Sequence, residues 1–195
     1  MKKLICIISL LCFSIISFAQ EVTTEEDYSK YEVQYDYDEF YVETGIGAAI
    51  PNDDSNSFFN FNIEFGKYLN EYFGIGFDFN FGHESEYKDE LYYIGPKFRY
   101  RVHYSPRNIV DMDLFAGLGY GCYRYCLDPY EYYDYRAYEN MDFVVPKVGA
   151  TFYLNFNRSF AVGFEPAFMW YISTNLDNAH SVGVWSLQGK LKFTF

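Results

Sequence analysis

Charged residues recur at every second position along several stretches of this chain. Lys97, Arg99, Arg101 and His103 are followed, beyond Ser105-Pro106-Arg107-Asn108, by Asp111 and Asp113; Lys190 and Lys192 close the chain in the same way. Glu43, Glu64, Asp78, Lys147 and Glu165 keep that parity within their own segments. Alternate residues of an extended strand share a face, so this spacing collects carboxylates, ammonium groups and guanidinium groups on one side. Such a face can form an ion network or carry protons and ions. The network is the expected role. Its best cluster is Lys97, Arg99, Arg101 and His103 against Asp111 and Asp113, which a hairpin turning at 105–108 would bring together.

Two other sets of residues have chemical potential. Cys122 and Cys126 stand as Cys-Tyr-Arg-Tyr-Cys, a spacing compatible with a local disulfide at a loop base in an oxidising compartment and also with two free thiols. The pair lacks a third ligand for zinc, and no calcium-loop spacing appears, so neither a metal nor a cofactor is expected. His83, Glu84 and Ser85, and His180 with Ser181, offer the residue types of a nucleophilic hydrolase. A base must reach its hydroxyl and be oriented by a third group. Neighbours on one strand point to opposite faces, which counts against His180 with Ser181. Enzymatic activity is not expected.

The elements that would position these groups are strands. Period-two alternation runs through 41–50, 57–68, 72–82, 91–104, 109–122, 141–154, 160–172 and 182–195. The third is the sharpest: Phe73, Ile75, Phe77, Phe79 and Phe81 oppose Gly74, Gly76, Asp78, Asn80 and Gly82. Pro96 cannot donate a ladder hydrogen bond and predicts a bulge or local irregularity. Connections after the second, fourth and sixth strands are tight, whereas the others are longer and more polar. The longest, 123–140, is rich in tyrosine and acids.

The first twenty residues read as an export signal. Lys2 and Lys3 precede an apolar run from Leu4 to Ile16, and Ser17-Phe18-Ala19 presents a cleavage site before Gln20. The expected division is a signal peptide over 1–19, an acidic, tyrosine-rich segment over 20–40 and a barrel over 41–195. Losing Lys2 and Lys3 takes the formal charge from −12 to −14, a balance that disfavours nucleic acid as a partner.

Strands of ten or more residues are long for a soluble domain and suit a tilted bilayer crossing. One face is persistently Phe, Ile, Leu, Val and Tyr, and the other mixes glycine with both charges. In lipid a sheet can leave no free edge, so the strands must close. An eight-stranded barrel is just wide enough to be filled by its own side chains. The predicted fold is therefore all-β: an eight-stranded antiparallel transmembrane β-barrel, an up-and-down meander with both termini periplasmic. Trp170 and Trp185 fall toward the external rim and Tyr100, Tyr104 and Phe195 toward the other, as interfacial girdles require.

Ser17-Phe18-Ala19-Gln20, the strand opening Tyr41-Val42-Glu43-Thr44-Gly45-Ile46-Gly47 and the ending Leu191-Lys192-Phe193-Thr194-Phe195 resemble the small outer-membrane β-barrel proteins of Bacteroidetes-type bacteria. More broadly, the chain is similar to the OmpX and OmpA transmembrane-barrel group. The resemblance covers roughly 40–195 and implies that Phe195, with Phe193 and Leu191 on its face, is the signal read by the barrel-assembly machinery. It also implies outer-membrane lipids as surroundings. The expected function is non-enzymatic, in envelope integrity or surface contact, with an extracellular or envelope protein as partner. The alternatives are assistance to protein secretion, a narrow channel, and a lipid-modifying enzyme.

Overall fold

The computed structural model describes residues 39–52, 56–86, 88–103, 109–126, 138–157, 159–174 and 181–195. The expected signal over 1–19 and the acidic segment as far as residue 38 lie outside these residues. The strands are β1 (Phe40–Pro51), β2 (Phe58–Tyr68), β3 (Phe73–His83), β4 (Glu90–His103), β5 (Val110–Cys126), β6 (Tyr138–Asn157), β7 (Phe160–Ser173) and β8 (Ser181–Thr194). Each pairs antiparallel with the next, and β8 returns to β1 in a closed barrel. Closure leaves no open edge along the shared ladder, as backbone groups in lipid demand.

The faces follow the alternation. Phe59, Phe65, Phe73, Phe77, Phe98 and Leu118 are exposed outside, while Glu43, Glu64, Asp78, Lys97, Lys147 and Glu165 are buried inside. An apolar surface of this extent is unstable in water and matched to hydrocarbon. The strand ends at Tyr68, Phe73, His103, Val110, Asn157 and Phe160 lie at one end, hereafter the turn end; those at Pro51, Phe58, His83, Glu90, Cys126, Tyr138, Ser173 and Ser181 lie at the other, the loop end. The chain's last residue lies at the turn end, where the Phe195 N–H donates to the Phe40 carbonyl at 2.9 Å.

Several boundaries differ from the sequence reading. Phe40 already belongs to β1. β5 and β6 run on together until Cys126 faces Tyr138, so strand replaces loop at both ends of the expected 123–140 connection. In the sequence, tyrosines and acids fall at both parities there, so the apolar alternation is lost, while backbone pairing continues. Pro96 causes no bulge. Ile94 faces Tyr120 and Lys97 faces Gly117 on either side of it, in one register. The missing N–H only interrupts the ladder. Pro146 is flanked in the same way by the pairs Val144–Ile172 and Lys147–Met169. The register shift instead occurs at the turn end of β6, between Asn155 and Asn157.

Candidate functional site: the lumen and its loop-end rim

The inward side chains form two layers. The first fills the middle of the barrel and its turn end with buried charges: Glu43, Glu64, Asp78, Asp111, Asp113 and Glu165, and Lys97, Arg99, Arg101, Lys147, Lys190 and Lys192. The formal charges of these twelve cancel; Glu39 is a further buried acid at the turn-end mouth. Arg99 is the hub. Its guanidinium donates to Glu43, to Glu64 from Nε at 2.7 Å and from Nη2 at 2.6 Å, and to Asp113 at 3.2 Å. Lys97 Nζ bridges Glu64 at 2.9 Å and Glu165 at 2.8 Å. Lys147 holds Asp78 at 2.6 Å. Lys190 lies 3.4 Å from Glu165.

Neutral groups take up part of the remaining capacity. The Tyr41 hydroxyl donates to Glu64 at 2.7 Å, Tyr68 to Asp113 at 2.5 Å, and Thr151 to Glu165 at 2.8 Å. Tyr41 reaches its partner by crossing Gly66, where a β-carbon would stand 2.2 Å from the ring. Breaking a buried ion pair leaves a charge with no water to solvate it. This layer is therefore rigid.

The hairpin cluster expected from sequence is only partly formed. Arg99 and Arg101 approach Asp113, Arg101 at 3.6 Å. Asp111 accepts from Asn155 Nδ2 at 2.9 Å. Lys97 and Arg99 find their other carboxylates across the lumen, on β1, β2 and β7. The narrow barrel brings those strands as close as the hairpin partner. The His103 side chain lies outside the described residues.

Glu43, Glu64 and Glu165 present carboxylate oxygens within 4.8 Å of one another, a spacing that could hold a metal ion. Here Lys97 and Arg99 occupy that role. A divalent ion would add charge to a balanced set, so the donor set does not fit one.

The second layer closes the loop end and was not foreseen. Ala49, Phe58, Leu91, Tyr93, Phe143, Val145, Met169, Tyr171 and Val184 form one buried apolar cluster, with Tyr123, Met141 and Val182 packed against it. The inward parity of each strand carries straight into these residues. That parity was the available signal. Inward glycines and charges drew the reading away from it.

At the rim outside the barrel, Arg124 pairs with Glu90 at 3.3 Å, Tyr92 donates to Glu90 at 2.7 Å, and Tyr120 donates to Asp142. The His83 ring stacks on Phe81 with centroids 6.4 Å apart. Glu84 Oε1 accepts from the Glu86 N–H at 2.9 Å. Ser85 and Ser181 are exposed, and His180 lies outside the described residues. The disulfide is not formed. Cys122 is a free thiol on a strand continuing through Cys126. Four strand residues span roughly 13 Å, about twice the Cα separation a disulfide allows. Trp170 and Trp185 both face outward near the loop end, and Trp185 packs on Phe168 at 5.1 Å.

A closed eight-stranded meander with an apolar exterior and a charged, filled interior narrows the family. The profile of the outer membrane protein beta-barrel domain matches residues 8–193. The chain belongs to that family. It is an outer-membrane β-barrel protein with transmembrane strands. No curated protein matches it. Among solved structures, the barrel is similar to Neisserial surface protein A, with TM-score 0.60 and 12% identity over 81% of this chain and 97% of that one. It is also similar to Ail, the attachment invasion locus protein of Yersinia pestis, with TM-score 0.51 and 16% identity over 81% of this chain and 100% of that one. Ail in complex with the heparin analogue sucrose octasulfate aligns with TM-score 0.52 and 15% identity, covering 81% of this chain and 100% of that one. At such identities the likeness is one of fold.

Proposed function

We propose that this chain is a non-conducting, non-enzymatic barrel that contributes to envelope integrity and offers its loop end for surface contact. The carrying observation is the filled lumen. A charge-balanced ion layer is stacked under an apolar layer, and both are buried. A steady solute path needs a wet pore lined with groups free to exchange partners. These groups are engaged with one another.

Surface contact is favoured by the β5–β6 hairpin. Its ladder continues to Cys126–Tyr138, whereas β4 stops pairing with β5 at Glu90–Arg124 and β7 stops pairing with β6 at Ser173–Phe143. The hairpin therefore stands above its neighbours at the rim. Tyrosine supplies contact area with a polar handle, and 123–140 is dense in it. The acids Asp128, Glu131, Asp134 and Glu139 outnumber Arg124 and Arg136 there. A sulfated polyanion of the kind named with Ail is thus a poor match for this hairpin; an envelope or extracellular protein is the better partner class. In this reading both termini are periplasmic and Phe195 is the assembly signal.

The test is deletion of the chain from its native host, followed by complementation. Uptake of bulky, normally excluded dyes should rise and return to baseline with the intact chain. Unchanged exclusion of such dyes, with slower uptake of small solutes, would instead point to a channel.

A further inference from the structure

We infer that a rack of side chains on β8, reaching over β1 to β2 and β3, sets the register in which the barrel closes. Four consecutive inward residues of β8 cross the seam. Ser186 accepts from Asn60 Nδ2 at 2.9 Å, Gln188 donates to Asn80 at 3.2 Å, Lys190 donates to Asn62, and Lys192 donates to the Tyr68 hydroxyl at 2.6 Å. None of these partners lies on β1, the strand that pairs with β8 across the seam.

β1 is built to let them pass. Ser186, Gln188 and Lys190 stand opposite Ala49, Gly47 and Gly45. A β-carbon on Gly45 would sit 2.7 Å from Lys190 Cδ, and one on Gly47 1.8 Å from the Leu187 carbonyl oxygen. This track of small residues admits the first three rungs; Lys192, opposite Glu43, passes toward β2 beside that side chain. At the end of the rack, the Lys192 ammonium lies over three rings, 5.3 Å from the centre of Tyr41, 4.5 Å from Tyr68 and 4.4 Å from Tyr153. These three come from β1, β2 and β6, so the cage is complete only when the barrel is closed.

The outer face cannot make this choice. A slip of one residue is forbidden, because it turns Lys190 and Lys192 into lipid. A slip of two keeps the parity and exchanges like for like: Trp185, Leu187, Gly189, Leu191, Phe193 and Phe195 still meet the Val42, Thr44, Ile46, Ala48 and Ile50 face. Lipid does not distinguish these registers. Inside, the same slip moves each rung off its own partner: in one direction Lys190 takes the place of Lys192 opposite Glu43 but leaves the shorter, uncharged Gln188 opposite Gly45, and in the other Lys192 leaves Tyr41 and Tyr68. The rack therefore discriminates where the membrane does not.

Engineered disulfides read the register. In the full chain carrying Cys122→Ser and Cys126→Ser, Thr44→Cys is combined with Leu191→Cys, its observed partner, or with Gly189→Cys or Phe193→Cys, which become opposite only after a slip of two. With the rack intact, cross-linking in outer membranes should be confined to the observed pair. Gln188→Leu, Lys190→Met and Lys192→Met together should move cross-linking into a slipped pair. Lys192→Met alone, which keeps the stem and removes the ammonium, should do so in part. Met169→Ala, which weakens the apolar layer without removing a rung, should stay in the observed register. If the rack variants fail to close while Met169→Ala closes, the rack is required for closure and the inference stands. Exclusive native-pair cross-linking in every rack variant would overturn it. So would equal failure of the rack variants and Met169→Ala, since the rack would then add only general stability.

Discussion

Toward the turn end, the inward residues of β1, β4 and β8 include Glu43, Arg99 and Lys192; toward the loop end of the same strands they are Ala49, Tyr93 and Val184. Parity and burial are alike in the two regions, but the chemistry is opposite. The ion layer is directional, because each charge needs named partners and tolerates few substitutes. The apolar layer is non-directional, because it needs only volume and exclusion of water. One layer fixes how strands sit relative to one another, and the other seals the end that faces the large loops. A barrel filled wholly with ions would have had water at its mouth, competing for every pair.

This contrast predicts a graded response to substitution. Glu64→Ala should cost most. It removes the acceptor shared by Lys97, Arg99 and Tyr41, and leaving two buried cations short of one counter-charge should lower unfolding stability by about 3–5 kcal/mol. Urea titration read by the heat-modifiable gel shift would measure it; a loss under about 1 kcal/mol would mean that water reaches the layer. Met169→Ala in the apolar layer should fall at the lower end of the roughly 2–5 kcal/mol range for such truncations, because it strands no charge and removes only the weak bond that the Tyr171 hydroxyl donates to the Met169 sulfur at 4.0 Å. A larger loss than for Glu64→Ala would reverse the ranking of the two layers. Tyr120→Phe removes an exposed rim bond to Asp142 and should cost no more than about 1 kcal/mol in the same titration. Cys122→Ser should change stability by less than about 0.5 kcal/mol, with identical curves with and without reductant. A reductant-dependent midpoint in the unsubstituted chain would restore the disulfide.

The fold was legible because one periodicity persists from Val42 to Phe195 and because charges of both signs sit opposite phenylalanine. Membership of the lumen was legible for the same reason: the parity of Lys97, Arg99, Asp113 and Glu165 reports their face. Their pairing was not. Whether Lys97 meets Asp113 on the hairpin or Glu165 across the barrel depends on how far the strands are sheared on closing, and no local spacing encodes that. The neutral members Tyr41, Asn62, Tyr153 and Gln188 share the inward parity, but a neutral side chain does not announce an ion partner, so their roles in the network are not legible in the sequence. The extension of β5 and β6 is hidden in the sequence because tyrosines and acids fall at both parities there. Pro96 was over-read: its missing N–H costs one rung without displacing the register.

The two layers together leave no conducting path, and planar-bilayer recording of the purified full chain tests this most directly. A flat baseline is expected for the unsubstituted protein across a range of voltages. Regular conductance steps that disappear when Lys97, Arg99 or Glu165 is neutralised would contradict it, since the buried ions would then line a pore instead of filling one.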